Sequence, residues 1–144
     1  MAVNTGKVVA GGLAAGVVMN VVGFVGFGML LGPRFNAEMD AVVAGLSTKM
    51  NSGANMGMTI VSQFVIGLLL AWLYAAMRPR FGPGVKTAVY AALVVWVCGD
   101  LFYLDNWQSG MMSMTSYVYA ACMMLVGLIA AAWVAGMMYK EEGA

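Results

Sequence analysis

Residues 8–33 read V-V-A-G-G-L-A-A-G-V-V-M-N-V-V-G-F-V-G-F-G-M-L-L-G-P, and nothing between Lys7 and Arg34 carries a charge. A helix needs about 20 apolar residues to cross the hydrocarbon core of a bilayer, and this run supplies them. It exceeds the apolar region of about 7–15 residues in a cleaved secretory signal, and no clear A-x-A cleavage pattern follows. The stretch is expected to be retained as a membrane span. Lipid offers no partner to backbone N–H and C=O groups, so a span is a helix or a closed barrel. The pattern here lacks the alternation of a barrel strand, which leaves the helix.

Three further stretches have the same character: Met50 to Met77, Thr87 to Leu104 interrupted only by Asp100, and Asn106 to Tyr139. The expected fold is all-α, a four-transmembrane-helix bundle in a single domain over residues 1–144, with spans at about 6–32, 54–77, 85–104 and 113–139. Gly32-Pro33 ends the first span and the run Arg78-Pro79-Arg80-Phe81-Gly82-Pro83-Gly84 separates the second from the third. The connection over residues 36–50 places Met39, Val42, Val43, Leu46 and Met50 on a helical repeat, with Asn36 as N-cap and Glu38 in the first turn. That pattern predicts a short interfacial amphipathic helix.

Composition supports the membrane reading and narrows function. Of 144 residues 62% are hydrophobic and 9% charged, against about 25% charged in a soluble domain. A net charge of +1 with scattered Lys and Arg provides no stripe for phosphates, so nucleic acid is not an expected partner. There is no histidine, which removes His-ligated cofactors and the usual imidazole base. The two cysteines, Cys98 and Cys122, have neither C-x-x-C nor zinc spacing and read as ordinary thiols. No cofactor is expected. Orientation follows from the basic residues near the membrane ends: Lys7, Arg78, Arg80, Lys86 and Lys140 fall on one side, Arg34 and Lys49 on the other. Both termini are therefore expected in the cytoplasm.

Asp100 is the acid inside a span, and a carboxylate in hydrocarbon costs several kcal/mol unless it is partnered. Asn20 stands thirteen residues from Lys7, Gln63 fifteen from Arg78 and Asp100 fourteen from Lys86, so all three rise about 20–22 Å above their basic anchors. The expectation is one polar layer, with Asp100 pointing inward to Asn20 and Gln63 and with Tyr119 of the fourth span nearby. On the third span Trp96, Asp100, Tyr103 and Trp107 recur at helical spacing. Trp96 is too deep for an interfacial belt. An inward Trp beside an inward acid suits a small pocket for a small molecule, lipid or cation; equally, amides and acids at this depth serve as hydrogen-bond glue between helices.

An enzyme is not expected. Asp105, the nearest second carboxylate, is five residues from Asp100 and so turned about 140° away on a helix. Gly12 and Gly16, with Gly127 and Ala131 in the fourth span, have the small-residue spacing that lets helices approach closely. They suit packing of the first span on the fourth, or self-association. Met111, Met112 and Met114 group soft thioethers that suit Cu(I), though methionine is more often adaptable apolar filler, and no metal is expected.

The run W-L-Y-A-A-M-R-P-R-F-G-P-G-V-K-T-A from Trp72 to Ala88, and G-G-L-A-A-G-V-V-M-N from Gly11 to Asn20, resemble segments of small uncharacterised bacterial integral membrane proteins with four helices. The resemblance implies the bacterial inner membrane and no particular activity. Small multidrug exporters also have four helices, but their essential acid lies in the first, where this chain has Asn20, and they lack the long connection between residues 33 and 53. The expected function is therefore a non-catalytic accessory subunit of a larger membrane complex, or a homo-oligomer surrounded by membrane lipids. Binding or transport in a pocket around Asp100 is the alternative.

Overall fold

Asn4 opens the first helix, its side-chain oxygen accepting the backbone N–H of Lys7 at 3.0 Å and so satisfying one of the free donors of the first turn. From there the computed structural model, which describes residues 3–139, is a series of helices joined by short turns, with no strand among the described residues. The elements are α1 (Thr5–Leu30), α2 (Gly32–Val42), α3 (Leu46–Met50), α4 (Gly53–Phe81), α5 (Val85–Gln108) and α6 (Met114–Met138). Of these, α1, α4, α5 and α6 are long and apolar enough to cross a membrane. Lys140, counted above for orientation, lies outside the described residues.

The four long helices alternate in direction. Helices α4 and α6 form the centre, with α1 and α5 packed on them from opposite flanks. One end, here the base, holds residue 5, the α4–α5 turn and the end of α6. The other, here the upper end, carries α2, α3 and the α5–α6 turn.

Packing is unequal along the bundle. Every buried residue of α4 lies from Gly67 onward and every buried residue of α5 lies at or before Ala92, so both helices are enclosed in the base half. The core there is alanine-rich, with Ala71, Ala75, Ala88, Ala91, Ala92, Ala131 and Ala135 around Leu70 and Leu128. Small side chains allow backbones to meet. A Cβ placed on Gly67 would lie 2.4 Å from the Gly12 carbonyl oxygen and 2.5 Å from the Gly16 nitrogen.

This contact corrects one expectation. Gly12 and Gly16 face α4, where Leu68 and Phe64 also crowd them. The first span does pack on the last as well, but through Gly11 against Ala135 and through Gly127 against Val22 and Met19. The close-approach surfaces of α1 are thus occupied within a single chain.

The base turn is tighter than the sequence suggested. Helix α4 runs on through Pro79 to Phe81, because a proline near a helix end forfeits one backbone bond and leaves earlier turns intact. Gly82 at φ 83° and Gly84 at φ 120° then reverse the chain, in a region that side chains other than glycine rarely adopt. Tyr74 Oη accepts the Gly84 N–H at 3.0 Å, and Thr87 Oγ1 donates to the Gly82 carbonyl at 2.6 Å.

The connection over 36–50 is two helices rather than one. Helix α2 begins at Gly32 with Pro33 in its first turn, so Asn36 sits inside it; its Oδ1 accepts from Asn51 Nδ2 at 3.0 Å instead of capping. Val43 is extended and Gly45 has φ 80°, which breaks the helix before α3. Asp40 holds the two pieces together, accepting the Ser47 N–H at 2.9 Å and its hydroxyl at 2.6 Å.

Candidate functional site, a cavity in the upper half

Past Gly67 on α4 and Ala92 on α5 the bundle loosens, and a cavity of about 760 Å³ fills the space. Its walls come from Met19, Val22, Gly23 and Phe27 of α1, Thr59, Gln63 and Ile66 of α4, Val95, Gly99 and Tyr103 of α5, and Met123, Met124 and Gly127 of α6. Phe35, Asn36 and Met39 of α2, with Met50 and Asn51, roof it. None of the lining residues is Asp, Glu, Lys or Arg. The volume falls within the range of about 300–1,000 Å³ usual for small-molecule sites, which are apolar with a few placed polar groups.

The α1 wall is unusual in its backbone. Phe24–Leu30 winds as a π-helix, and Leu31 N–H reaches back five residues to the Gly26 carbonyl at 2.9 Å. Gly23, Gly26 and Gly28 give this stretch weak helix preference, and π turns of this kind recur at functional sites.

A polar clamp fixes the roof. Glu38 Oε1 accepts the hydroxyls of Ser113 at 2.8 Å and Ser116 at 2.7 Å, Oε2 accepts the Ser113 N–H at 3.0 Å, and Arg34 Nε stands 3.4 Å from the same carboxylate. Arg34 Nε also donates to Ser116 Oγ at 2.6 Å. Burial works against the charged form of Glu38, but the bonds from Ser116 and Ser113 and the Arg34 charge outweigh it and hold the carboxyl below its ordinary value. Asp40 is likewise lowered, chiefly by the Ser47 hydroxyl and N–H.

The residues expected to form one layer are divided among three places. Asn20 faces a groove between α1 and α4 with Phe24, Ile60 and Phe64, and its Nδ2 donates to the Gly16 carbonyl at 2.9 Å and the Ile60 carbonyl at 3.4 Å. Gln63 lines the cavity, with Oε1 buried and without a partner. Asp100 turns to α6, where Tyr117 Oη donates to its Oδ2 at 2.5 Å while Oδ1 is buried without a bond. The single Asn20–Gln63–Asp100 layer does not form, because equal height leaves rotation about each helix axis free.

The α5 stripe is largely a seam with α6. Trp96 Nε1 donates to the Ala121 carbonyl at 2.9 Å, Asp100 meets Tyr117 one turn away, and the Tyr103 and Tyr117 rings stack at 6.3 Å. Tyr103 alone of these also lines the cavity. The phenol beside Asp100 is therefore Tyr117; Tyr119 is exposed on the outside, with the Arg34 guanidinium 5.7 Å from its ring centre. Met111 and Met112 lie in the α5–α6 turn, their N–H groups bonded to the Asn106 carbonyl, and Met114 is exposed at the start of α6.

Of the methionines that line the cavity, Met19, Met39, Met50, Met56, Met123 and Met124 from five different segments, sequence reasoning singled out only Met39 and Met50, and those only as the apolar face of an interfacial helix. Gly99, beside Asp100, carried a usable signal: the face one residue away from the acid is the one turned to the cavity. Comparison with family models, with curated proteins and with solved structures returns no match.

Proposed function

We propose that this chain is a non-catalytic membrane protein that holds an uncharged, apolar small molecule or lipid in the cavity of its upper half. The carrying observation is a cavity of about 760 Å³ with no charged lining residue, roofed by a clamped pair of short helices. Its seat is the bacterial inner membrane, with both termini cytoplasmic and α2–α3 lying along the outer surface as the interfacial segment. Lys7, Arg78, Arg80 and Lys86 at the base support that orientation. Charge-free walls argue against a cation as the occupant, since an ion there exchanges its hydration for nothing of opposite sign. Native mass spectrometry of the protein taken gently from its own membrane tests the reading. The expected spectrum shows a bound small molecule that is missing from Thr59→Trp, a substitution that fills the cavity from an exposed position; a bare 15.1 kDa chain under every mild condition, for both proteins, overturns it.

A second reading, association with another membrane subunit or a second copy, is supported by Asn20. No described residue donates to its Oδ1, and it sits in the groove with Phe24 and Phe64. A donor on a neighbouring helix would satisfy that oxygen in lipid. Asn20→Leu should then release a co-purifying partner, and a particle of unchanged mass tells against this reading.

A further inference from the structure

We propose that the occupant of this cavity presents a carbonyl-type oxygen to Gln63 and Tyr103; the inference rests on the cavity reading above and specifies its chemistry. The α4–α5 hairpin fixes the register. Gln63 lies eighteen residues before the end of α4 at Phe81, and Tyr103 lies eighteen residues after the start of α5 at Val85. With a rise of about 1.5 Å per residue, both stand about 27 Å above the same turn, on adjacent helices and on the wall of the same cavity.

Neither side chain has its polar group engaged: among the described residues nothing bonds to the Gln63 amide or the Tyr103 hydroxyl. The amide keeps Oε1 enclosed, and its Nε2 lies beside Gly23, another lining residue, 3.6 Å from where a Cβ on that glycine would stand. Two neutral donors at one level therefore look for acceptors. The other polar lining groups each make a bond of their own, Thr59 Oγ1 donating to the Asn55 carbonyl and Asn51 Nδ2 donating to Asn36 Oδ1 in the roof.

A carbonyl oxygen has two lone pairs and no proton, so one such atom can take both donors. A hydroxyl brings a proton of its own: if it donates to Tyr103 Oη, the phenol proton loses its acceptor, so one O–H is left over that a carbonyl would not leave. A carboxylate would satisfy both donors but arrives charged in a site with no cation on its wall. The chemistry selected is an uncharged apolar molecule bearing a ketone, quinone or ester carbonyl.

The full chain in lipid nanodiscs is titrated with a 6-acyl-2-dimethylaminonaphthalene ketone, an uncharged fluorophore whose emission moves to the red when its carbonyl accepts hydrogen bonds. Competitors of one alkyl length then displace it: a methyl ketone, an alcohol, a hydrocarbon, a trimethylammonium and a carboxylate. The ketone should compete about a hundredfold better than the hydrocarbon, about tenfold for each of two satisfied hydrogen bonds, and the two ions should compete least. Gln63→Met and Tyr103→Phe, which remove unengaged polar atoms and keep shape, should each erase about tenfold of that preference and shift bound emission to the blue, with thermal stability not reduced in either and raised in Gln63→Met, which removes a buried unpaired oxygen. Equal competition by ketone and hydrocarbon, unaltered in both variants, overturns the carbonyl assignment and leaves the cavity reading standing. Tightest competition by the alcohol or by either ion also overturns it. No saturable binding of the fluorophore to folded protein overturns the cavity reading itself.

Discussion

Gly67→Ala should be among the most damaging single-atom additions in this protein, and the reason is the identity of what it strikes. The new Cβ would stand 2.4 Å from the Gly12 oxygen, 2.5 Å from the Gly16 nitrogen and 2.9 Å from the Gly16 Cα, against 3.4–4 Å for ordinary contact. These are backbone atoms in the middle of α1, so no side chain can swing aside and the two helices must part. Overpacking costs about 1–3 kcal/mol when neighbours can adjust, and a backbone obstacle places this case at the top of that range. The alanine returns about 1 kcal/mol through helix propensity and reduced freedom of the unfolded chain. A net loss of about 2 kcal/mol follows. Gly57→Ala, on the same helix with nothing within 4 Å of its Cβ, should gain up to about 1 kcal/mol. Equilibrium unfolding in mixed micelles compares the two, and they should separate by about 3 kcal/mol with the particle mass unchanged. Equal stabilities would refute the backbone contact between α1 and α4, and a change in oligomeric state at constant stability would move these glycines to an interface between chains.

Three other perturbations probe the upper half. Glu38→Gln removes the ion pair with Arg34 and weakens the acceptor shared by Ser113 and Ser116, so hydrogen exchange in α2 should accelerate by about tenfold, corresponding to about 1–2 kcal/mol, while α4 beyond Gly67 is unaffected; unchanged protection of α2 would count against the clamp. Glu38 and Asp40 both have carboxyl values held below their ordinary 4.5 and 3.8; because a depressed value stabilises the fold above the unfolded pKa and ceases to as pH falls through the folded one, α2 and α3 should loosen only below about pH 4.5. Loosening between pH 5 and 8 would contradict that sign. Tyr117→Phe leaves both Asp100 oxygens without a bond and should reduce stability by about 1–3 kcal/mol; unfolding at the wild-type midpoint would mean that Asp100 finds water without it.

Span number and helical character were legible because they rest on long uninterrupted runs, and no local accident of residue choice can hide residues 8–33 or 106–139 from a bilayer-length count. Boundaries were less legible: Pro79 reads as a stop, yet one lost bond near a terminus does not end a helix. The site was legible in part. Counting from basic anchors put Asn20, Gln63 and Asp100 at one height, but height fixes only one coordinate of a helical residue. Its direction depends on rotation about the axis, which is set by which small residues meet. Gly12 and Gly16 meet Gly67 on α4, and α5 turns Trp96 and Asp100 toward α6. The hairpin register was the better ruler, since a three-residue turn lets α4 and α5 slip less than flexible anchors do.

The two halves of the bundle differ in the physics of their side chains. Alanine and glycine at the base have no rotamers to change, so that half has one close packing and answers any added volume by losing stability. The upper half is walled by methionines, whose unbranched thioether chains refill irregular space at little energetic expense. Such a wall does not specify shape strongly, which is why selectivity must come from its polar groups. Of those, the Asn36–Asn51 pair belongs to the roof and Thr59 is tied to its own helix. Gln63 and Tyr103 stand instead on the wall below the roof, on the two helices that share the base turn and separate above it. A rigid base that sets their register and a compliant wall around them together make a site whose position is fixed while its outline adapts.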